Sequence, residues 1–488
     1  MFFQSFKIYR TLLFFCLLQA SLCFAQTNIY RLQTLVDDVY TTHPFFKSTS
    51  IQRDIAKLTI LKEKSFTDIS YSLTPLMSYT KPASSSPFSA QETTSLGMTS
   101  SLSKKLWSTG GTLGASIGLN SMESAYSSQA QQFGLLNNYY YHSIGLSYVH
   151  PLLKNKKGVI DKINFQTKTL DYKRTLIQLS DQEQQFILGL IYQFLEWYGH
   201  YQELTNLRDR YAISKTLFLD TKKKFKKNIA EQVDLIQSED SLKNLEQLII
   251  LQQGKVDSKI NQLSLILSNP ISESIPKLNL SYIPDLPRLT TDMIRNVPHI
   301  TLLSQQKELL LFQKSMVNEK NHPNLDLTVA TNLKSGATSL GDSLGFNKPD
   351  YTMSLTYTNS VEKTNYHVDN RILKQSINNI QLSIDSAILT LKATLIDIKT
   401  QYQSLINVIE SNEARMVLAK KRVKQEVKRY NHGRGQFSFV VQAQDNVQYI
   451  ETILLQNKIS IYRLYIQYMT SLGLLDDALK KLNYESII

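Results

Sequence analysis

Gly114-Ala-Ser116-Ile-Gly118 fits the G-x-S-x-G pattern of serine hydrolases. In those enzymes the serine stands on a sharp strand-to-helix turn that exposes its hydroxyl. Here Ser116 lies in a stretch that alternates apolar and small polar residues, which puts it on the polar face of a strand. No hydrolytic chemistry is expected from it. The eight histidines, His43, His142, His150, His200, His299, His322, His367 and His432, never fall at H-x-x-H or H-E-x-x-H spacing, so no metal site is expected. No glycine-rich phosphate loop follows a strand, and Trp107 and Trp197 are too few for a recognition surface. The expected catalytic, cofactor-binding and metal residues are none, and the chain does not read as an enzyme.

The elements that would have to carry a site explain this poverty. The N-terminus reads as a secretory signal: Lys7 and Arg10 form a charged start, Thr11 to Leu22 is mostly apolar, and Cys23-Phe24-Ala25 places small residues before a cut at Gln26. Lipid attachment at Cys23 is the competing reading, for which Leu22 is a poor preceding residue. Cys16 and Cys23 are the two cysteines of the chain, so the processed protein would hold neither a disulfide nor a thiolate site. The formal charge is +13, and +11 without Lys7 and Arg10. An exported protein rarely meets nucleic acid, so this balance reads as a solvated basic surface and nucleic acid is not an expected partner.

With 42% apolar residues the chain is not disordered, yet no stretch after the N-terminus is apolar enough for a spanning helix. Of 12 prolines none lies between Pro151 and Pro270, and none follows Pro349. Such runs suit very long helices. From Ile384 the apolar positions step by four and three through Ile388, Leu391, Leu395, Ile398, Tyr402, Leu405 and Ile409, and the register continues through Asn412, Met416, Ala419 and Val423. The return arm keeps the step at Val440, Ala443, Val447, Ile450, Leu454, Asn457, Ile461, Leu464 and Tyr468. A 3.5-residue repeat of this length predicts coiled-coil packing.

The plan occurs twice. Phe225-Lys-Lys-Asn228, Asp234, Gln237 and Asp240 lie over Tyr430-Asn-His-Gly433, Phe439, Gln442 and Asp445 at a constant offset of 205. Asn228 and Gly433 are the residue types that enter the left-handed conformation most cheaply, which predicts a helix stop and reversal at each. A helix over Leu32 to Lys64 with His43-Pro44 opens one copy, and one over Asp292 to Glu319 with Pro298 opens the other. His43 reads as part of a helix-start turn. The expected division is a signal peptide over 1–25, a first repeat over 26–285, a second over 286–476 and a tail over 477–488. Strands are expected at 70–80, 94–104, 112–120 and 142–150, then at 324–332 and 350–360. The first copy carries the extra hairpin, turning at Gly110-Gly111, and the Ser- and Gln-rich stretch from Glu123 to Gln132 reads as an exposed loop.

In these strands one face is apolar and ends in tyrosine, and the other is small and hydroxylic. Either a half-buried soluble sheet or a membrane barrel would show that alternation, and the signal segment favours the barrel. On that reading Tyr71, Leu73, Tyr79, Leu146, Tyr148, Tyr351, Leu355 and Tyr357 face lipid.

Taken together, the tip segments Asn228 to Glu239 and Arg429 to Asp445, the helices opening at Pro44 and Pro298, and the closing Leu472-Gly473-Leu474 resemble the outer-membrane efflux proteins of the TolC type, over roughly residues 30 to 476. The resemblance implies a mixed α and β membrane protein with two structural repeats per chain. It implies a homotrimer whose strands form one outer-membrane β-barrel, continued by a coiled-coil helical tunnel across the periplasm. It also implies a periplasmic adaptor (membrane fusion) protein and an inner-membrane pump as partners, in an efflux pump or a type I secretion system, with no cofactor. The tunnel would narrow at a tip holding Asn228, Asp234, Gly433, Arg434, Phe439 and Gln442. Relatives often close the tip with acidic residues; Asp234 matches the acidic position of the first hairpin, whereas the two acidic positions of the second hold Phe439 and Gln442 here. Three Phe439 side chains near one axis would make a partly hydrophobic constriction; packing of Phe439 in the helix seam is the other reading. The lysines and arginines before each tip, Lys222 to Lys227 and Lys420 to Arg429, read either as a solvated face or as a dock for an acidic adaptor surface. A periplasmic coiled-coil structural or adhesive protein that spans no membrane is the alternative function.

Overall fold

The computed structural model describes residues 29–83, 86–267, 270–271 and 274–484. The expected signal segment and both cysteines lie outside them. The chain divides into two compact units, one holding the residues up to Ile51, Ile177–Thr301 and Ser386 onward, the other Gln52–Leu176 and Leu302–Asp385.

The first repeat opens with β1 (Ile29–Arg31), α1 (Leu32–Thr42) and α2 (Pro44–Lys62). His43 separates the helices in an extended conformation, because the ring of a following proline excludes the helical region. Its Nδ1 accepts from the Phe45 N–H at 3.2 Å, which caps α2. Strands β2 (Ser70–Thr80), β3 (Glu92–Lys105), β4 (Thr112–Ala125) and β5 (Asn138–Pro151) follow, then α3 (Ile163–Lys226) and α4 (Gln232–Leu267). β6 (Ile275–Lys277) closes the first repeat, and the second carries α5 (Pro298–Lys320), β7 (Asn324–Ala337), β8 (Lys348–Thr358), α6 (Thr364–Asn431) and α7 (Phe437–Ser471). The described part of the expected tail lies in a further helix, α8 (Leu475–Tyr484), which begins two residues before it and buries Leu475, Ala478, Leu479 and Leu482 at helical spacing.

Six strands form one antiparallel sheet in the order β2-β3-β4-β5-β7-β8. The extra hairpin of the first copy, β3–β4, is part of that sheet. The ladders run past the apolar alternation: β4 continues to Ala125 and β7 to Ala337, because backbone pairing persists through polar residues. The loop expected over Glu123 to Gln132 is therefore corrected. Its first three residues are strand, and Ser128–Gln132 is a helical turn capped by Ser127, whose Oγ accepts from the Ala130 N–H.

In the helical unit the seam is buried as its spacing requires. Leu395, Ile398, Tyr402, Ile409, Met416 and Ala419 of α6 are buried, as are Val440, Ala443, Ile450, Ile461 and Tyr468 of α7. Between the repeats an extended segment lies under three tyrosine hydroxyls. Tyr462 Oη donates to the Asn279 and Tyr282 carbonyls (2.6 and 2.5 Å), Tyr468 Oη to Pro287 O (3.2 Å), and Tyr402 Oη to Pro284 O. Backbone without a ladder of its own finds its partners there.

Candidate functional site

The two hairpin tips are built alike. α3 and α6 end at Lys226 and Asn431, and α4 and α7 begin at Gln232 and Phe437, so both boundaries keep the 205-residue offset. Asn228 has φ 56° and Gly433 φ 68°. In each tip the residue in the left-handed region donates to the carbonyl three back (Asn228 to Phe225, 2.9 Å; Gly433 to Tyr430, 3.1 Å). The next donates five back (Ile229 to Lys224, 2.9 Å; Arg434 to Arg429, 3.0 Å). This is the Schellman helix stop.

Side chains then join one tip to the other. Lys224 of the first hairpin places its Nζ 4.3 Å from the Tyr430 ring centroid and donates to Asn431 Oδ1 at 2.8 Å. Burial lowers the Lys224 pKa below the ordinary lysine value, and the nearby Asp220 and Asp234 oppose that shift. Tyr430 Oη donates to Thr221 Oγ1 at 3.3 Å, and burial raises its phenol. Phe437 packs on Tyr430 at 5.3 Å between centroids, with Val440 beneath. Asp445 pairs with Arg210 of the first hairpin, so this carboxylate clamps helices together. Asp234 and Gln237 line a cleft of about 350 Å³ with Lys224, Tyr430, Gly433 and Gln436.

Phe437 is 2% exposed and Phe439 44%. The seam position at this tip therefore belongs to Phe437, and Phe439 projects from the chain beside the exposed Gln442. The sequence spacing held a signal for Phe437, since it lies three residues before Val440 and continues the seam by one step. The Lys224–Tyr430 contact had no such signal, because it joins separate repeats.

The sheet's two faces differ sharply. Register places Tyr71, Leu102, Ala115, Leu146, Thr331 and Tyr351 in one row across all six strands. Leu73, Ile117, Ile144 and Leu333 stand in the next. Most of these large apolar side chains are exposed, Tyr351 by 81%. Of the expected lipid-facing residues, Tyr148 alone is only partly exposed; its Oη meets His150 Nδ1 at 3.0 Å. The opposite face is hydroxylic: Ser70 meets Ser103 and Ser72 meets Ser101 at 2.6 and 2.7 Å. It is also crowded. A Cβ on Gly97 or Gly145 would lie 2.3 Å from the amide oxygen of Asn120 or Asn332 on the paired strand. Both edge strands, β2 and β8, are 11 residues long, have no further strand on their outer sides among the described residues, and are antiparallel to each other by their places in the sheet.

No helix among the described residues is long and apolar enough to cross a membrane, and no group of three or more metal-ligating side chains occurs among them.

Long helical hairpins and a six-stranded sheet with one apolar face and two edge strands are the elements of the outer-membrane channel fold. The chain is similar to the structure of CusC, described in terms of transmembrane channel formation, at TM-score 0.63 and 12% identity over 90% of this chain and 91% of that one. It is similar to the outer membrane protein VceC of Vibrio cholerae (TM-score 0.60, 10% identity, 90% and 96% covered). The Campylobacter jejuni CmeC outer membrane channel gives TM-score 0.61 and 11% identity, with 93% and 89% covered. No protein-family model matches the sequence, and no curated protein matches it.

Proposed function

We propose that this chain is one subunit of an outer-membrane exit channel, and that three copies close a single barrel around a water-filled passage. The observation that carries the reading is the open sheet. An unpaired edge in lipid leaves backbone donors and acceptors without partners, so a spanning sheet must close. Edges of equal length and opposite direction allow β8 of one copy to pair with β2 of the next in the same antiparallel sense. Apolar side chains would then meet lipid, and the serine, threonine and glycine face would line the passage. A second exposed row supports association of copies along the helices: Leu382, Leu389 and Ile396 of α6 stand seven residues apart and are 65–67% exposed.

In this reading the chain catalyses no reaction, and an inner-membrane pump with a periplasmic adaptor delivers the cargo. The tips would meet that adaptor. Lys226, Lys227, Lys421, Arg422 and Lys424 have no carboxylate partner among the described residues and suit an acidic surface, so binding should weaken as salt rises. The projecting Phe439 would form a partly hydrophobic constriction.

Extraction of outer membranes with detergent, followed by gels run with and without heating, tests the assembly. A heat-sensitive oligomer that conducts ions in planar bilayers is expected. A monomer released into the soluble fraction would favour a periplasmic structural protein and defeat the channel. Single-channel recording tests the tip: Phe439→Ala should raise the closed-state conductance, and an unchanged closed state removes Phe439 from the gate.

A further inference from the structure

We propose that the rim of the sheet nearest the helices holds a site for the phosphate headgroup of an anionic phospholipid, made by Lys64, Lys162 and Trp107. The proposal rests on the reading of the sheet as membrane-embedded.

Register defines the rim. Lys105 stands opposite Thr112, Pro151 opposite Asp326 and Asn324 opposite Thr358, so the segments 62–69, 104–111 and 152–162 meet at one end of the sheet. They carry eight lysines and three acids, whereas the opposite segments 81–91, 126–137 and 338–347 carry one lysine and one acid. One of the three acids, Asp161, is taken by Lys105 (2.7 Å) and by the Asn155 amide (2.8 Å).

Trp107 is held rigidly at this rim. Phe66 stacks on it at 5.4 Å and Phe165 meets it edge-on at 5.2 Å. Its turn closes through Leu106 N–H to Gly111 O (2.8 Å) and Gly110 N–H to Leu106 O (2.9 Å). That turn lies directly on the next connection: a Cβ on Gly110, at φ 73°, would stand 2.5 Å from the Gly158 nitrogen.

Two ammonium groups converge on this ring. Lys162 Nζ lies 5.2 Å and Lys64 Nζ 5.8 Å from its centroid, and Lys162 also donates to the Lys157 carbonyl at 2.8 Å. Neither has a carboxylate partner among the described residues. The ring face offsets part of the repulsion between two like charges, and an anion between them would remove the rest. Exposed Ile69, Tyr71, Leu113 and Leu153 bring the apolar surface to the same rim. An anion carrying acyl chains fits both features, whereas free phosphate fits only the lysines. Indole at headgroup depth and lysine beside an anionic surface are the usual chemistry of a bilayer boundary.

The test reconstitutes the full-length protein into phosphatidylcholine vesicles with and without phosphatidylglycerol, then counts retained lipid by native mass spectrometry after detergent extraction. The wild type should retain phosphatidylglycerol over phosphatidylcholine by on the order of tenfold, as two lysines near an anionic surface allow. K64Q/K162Q should lose that preference while keeping the wild-type melting temperature, and K334Q on the opposite rim should keep it. Equal retention of the two lipids by the wild type, or an unchanged preference in K64Q/K162Q, overturns the site. Displacement of the lipid by millimolar inorganic phosphate overturns the lipid as its source. Insertion without a lipid preference defeats the site alone; failure to enter any vesicle defeats the membrane reading and the site together.

Discussion

Gly433 has open space where a side chain would stand, so its cost of substitution is purely conformational. Gly433→Ala should cost about 1 kcal/mol, the strain of a Cβ in the left-handed region, and Asn228→Gly should cost nothing. Thermal denaturation of the two variants checks the pair. Both positions were legible in sequence because asparagine and glycine advertise that conformation by residue type. Tyr462 gave no such sign, since its partners Asn279 and Tyr282 are some 180 positions away and offer only backbone carbonyls. Tyr462→Phe removes the donor those carbonyls share and should destabilise the protein by about 1–2 kcal/mol. Nearby, burial pushes the Tyr465 phenol up to about 12, so that side chain stays neutral in ordinary buffers. Trp107 was equally illegible: one tryptophan is no motif, and its significance comes from Lys64 and Lys162 arriving from two other segments.

Among the helices, the 3.5-residue step was fully legible, because burial along a helix follows residue type at fixed spacing. The strand ends were not, because ladders such as β4–β5 persist through Ser121 and Glu123 without an apolar face to mark them. Where α3 and α4 face each other, the Gln252 amide lies 3.2 Å from His200 Nδ1 and donates to the His200 carbonyl at 3.1 Å. Burial, and after it the charge of Lys255, hold the His200 pKa below its usual value. The unfolded chain then binds the extra proton more readily, so this contribution is complete above pH about 6.5 and is lost as pH falls toward the depressed value. Melting temperature should therefore drop on mild acidification in the wild type and drop less in His200→Gln. A parallel decline in both would show that His200 does not set the acid limit. Glu196 moves the other way in charge but not in direction: Lys259 first, and Arg463 with it, hold its carboxyl below the usual range, so its share is lost only in stronger acid.

For the whole molecule, the proposed assembly would depend on surfaces that one chain leaves uncovered. Leu389→Glu puts a charge on the exposed α6 row and should abolish the heat-sensitive oligomer while leaving the helical content by circular dichroism unchanged. The hydroxylic sheet face carries few charges, and two of them, Lys334 and Asp350, neutralise each other. A passage lined this way should discriminate weakly between small cations and anions, which the reversal potential in a potassium chloride gradient measures; a strongly displaced potential would place the selectivity elsewhere. The repeat and its offset could be read from residues 225–240 and 430–445 because tips are short and chemically specific. The order of the six strands could not, because their alternation is the same in every strand and says nothing of which edge meets which.

The smallest sheet also has a bearing on how the molecule is made. Ile29, Tyr30 and Arg31 pair in parallel with Ile275, Pro276 and Lys277. A chain synthesised from its N-terminus therefore exposes three residues that wait, through the making of four strands and two long helices, for the partner that fixes them. Residues 29–31 are thus among the last parts of the first repeat to settle. An amino-terminal fusion abutting residue 29 should delay maturation more than it harms the finished protein.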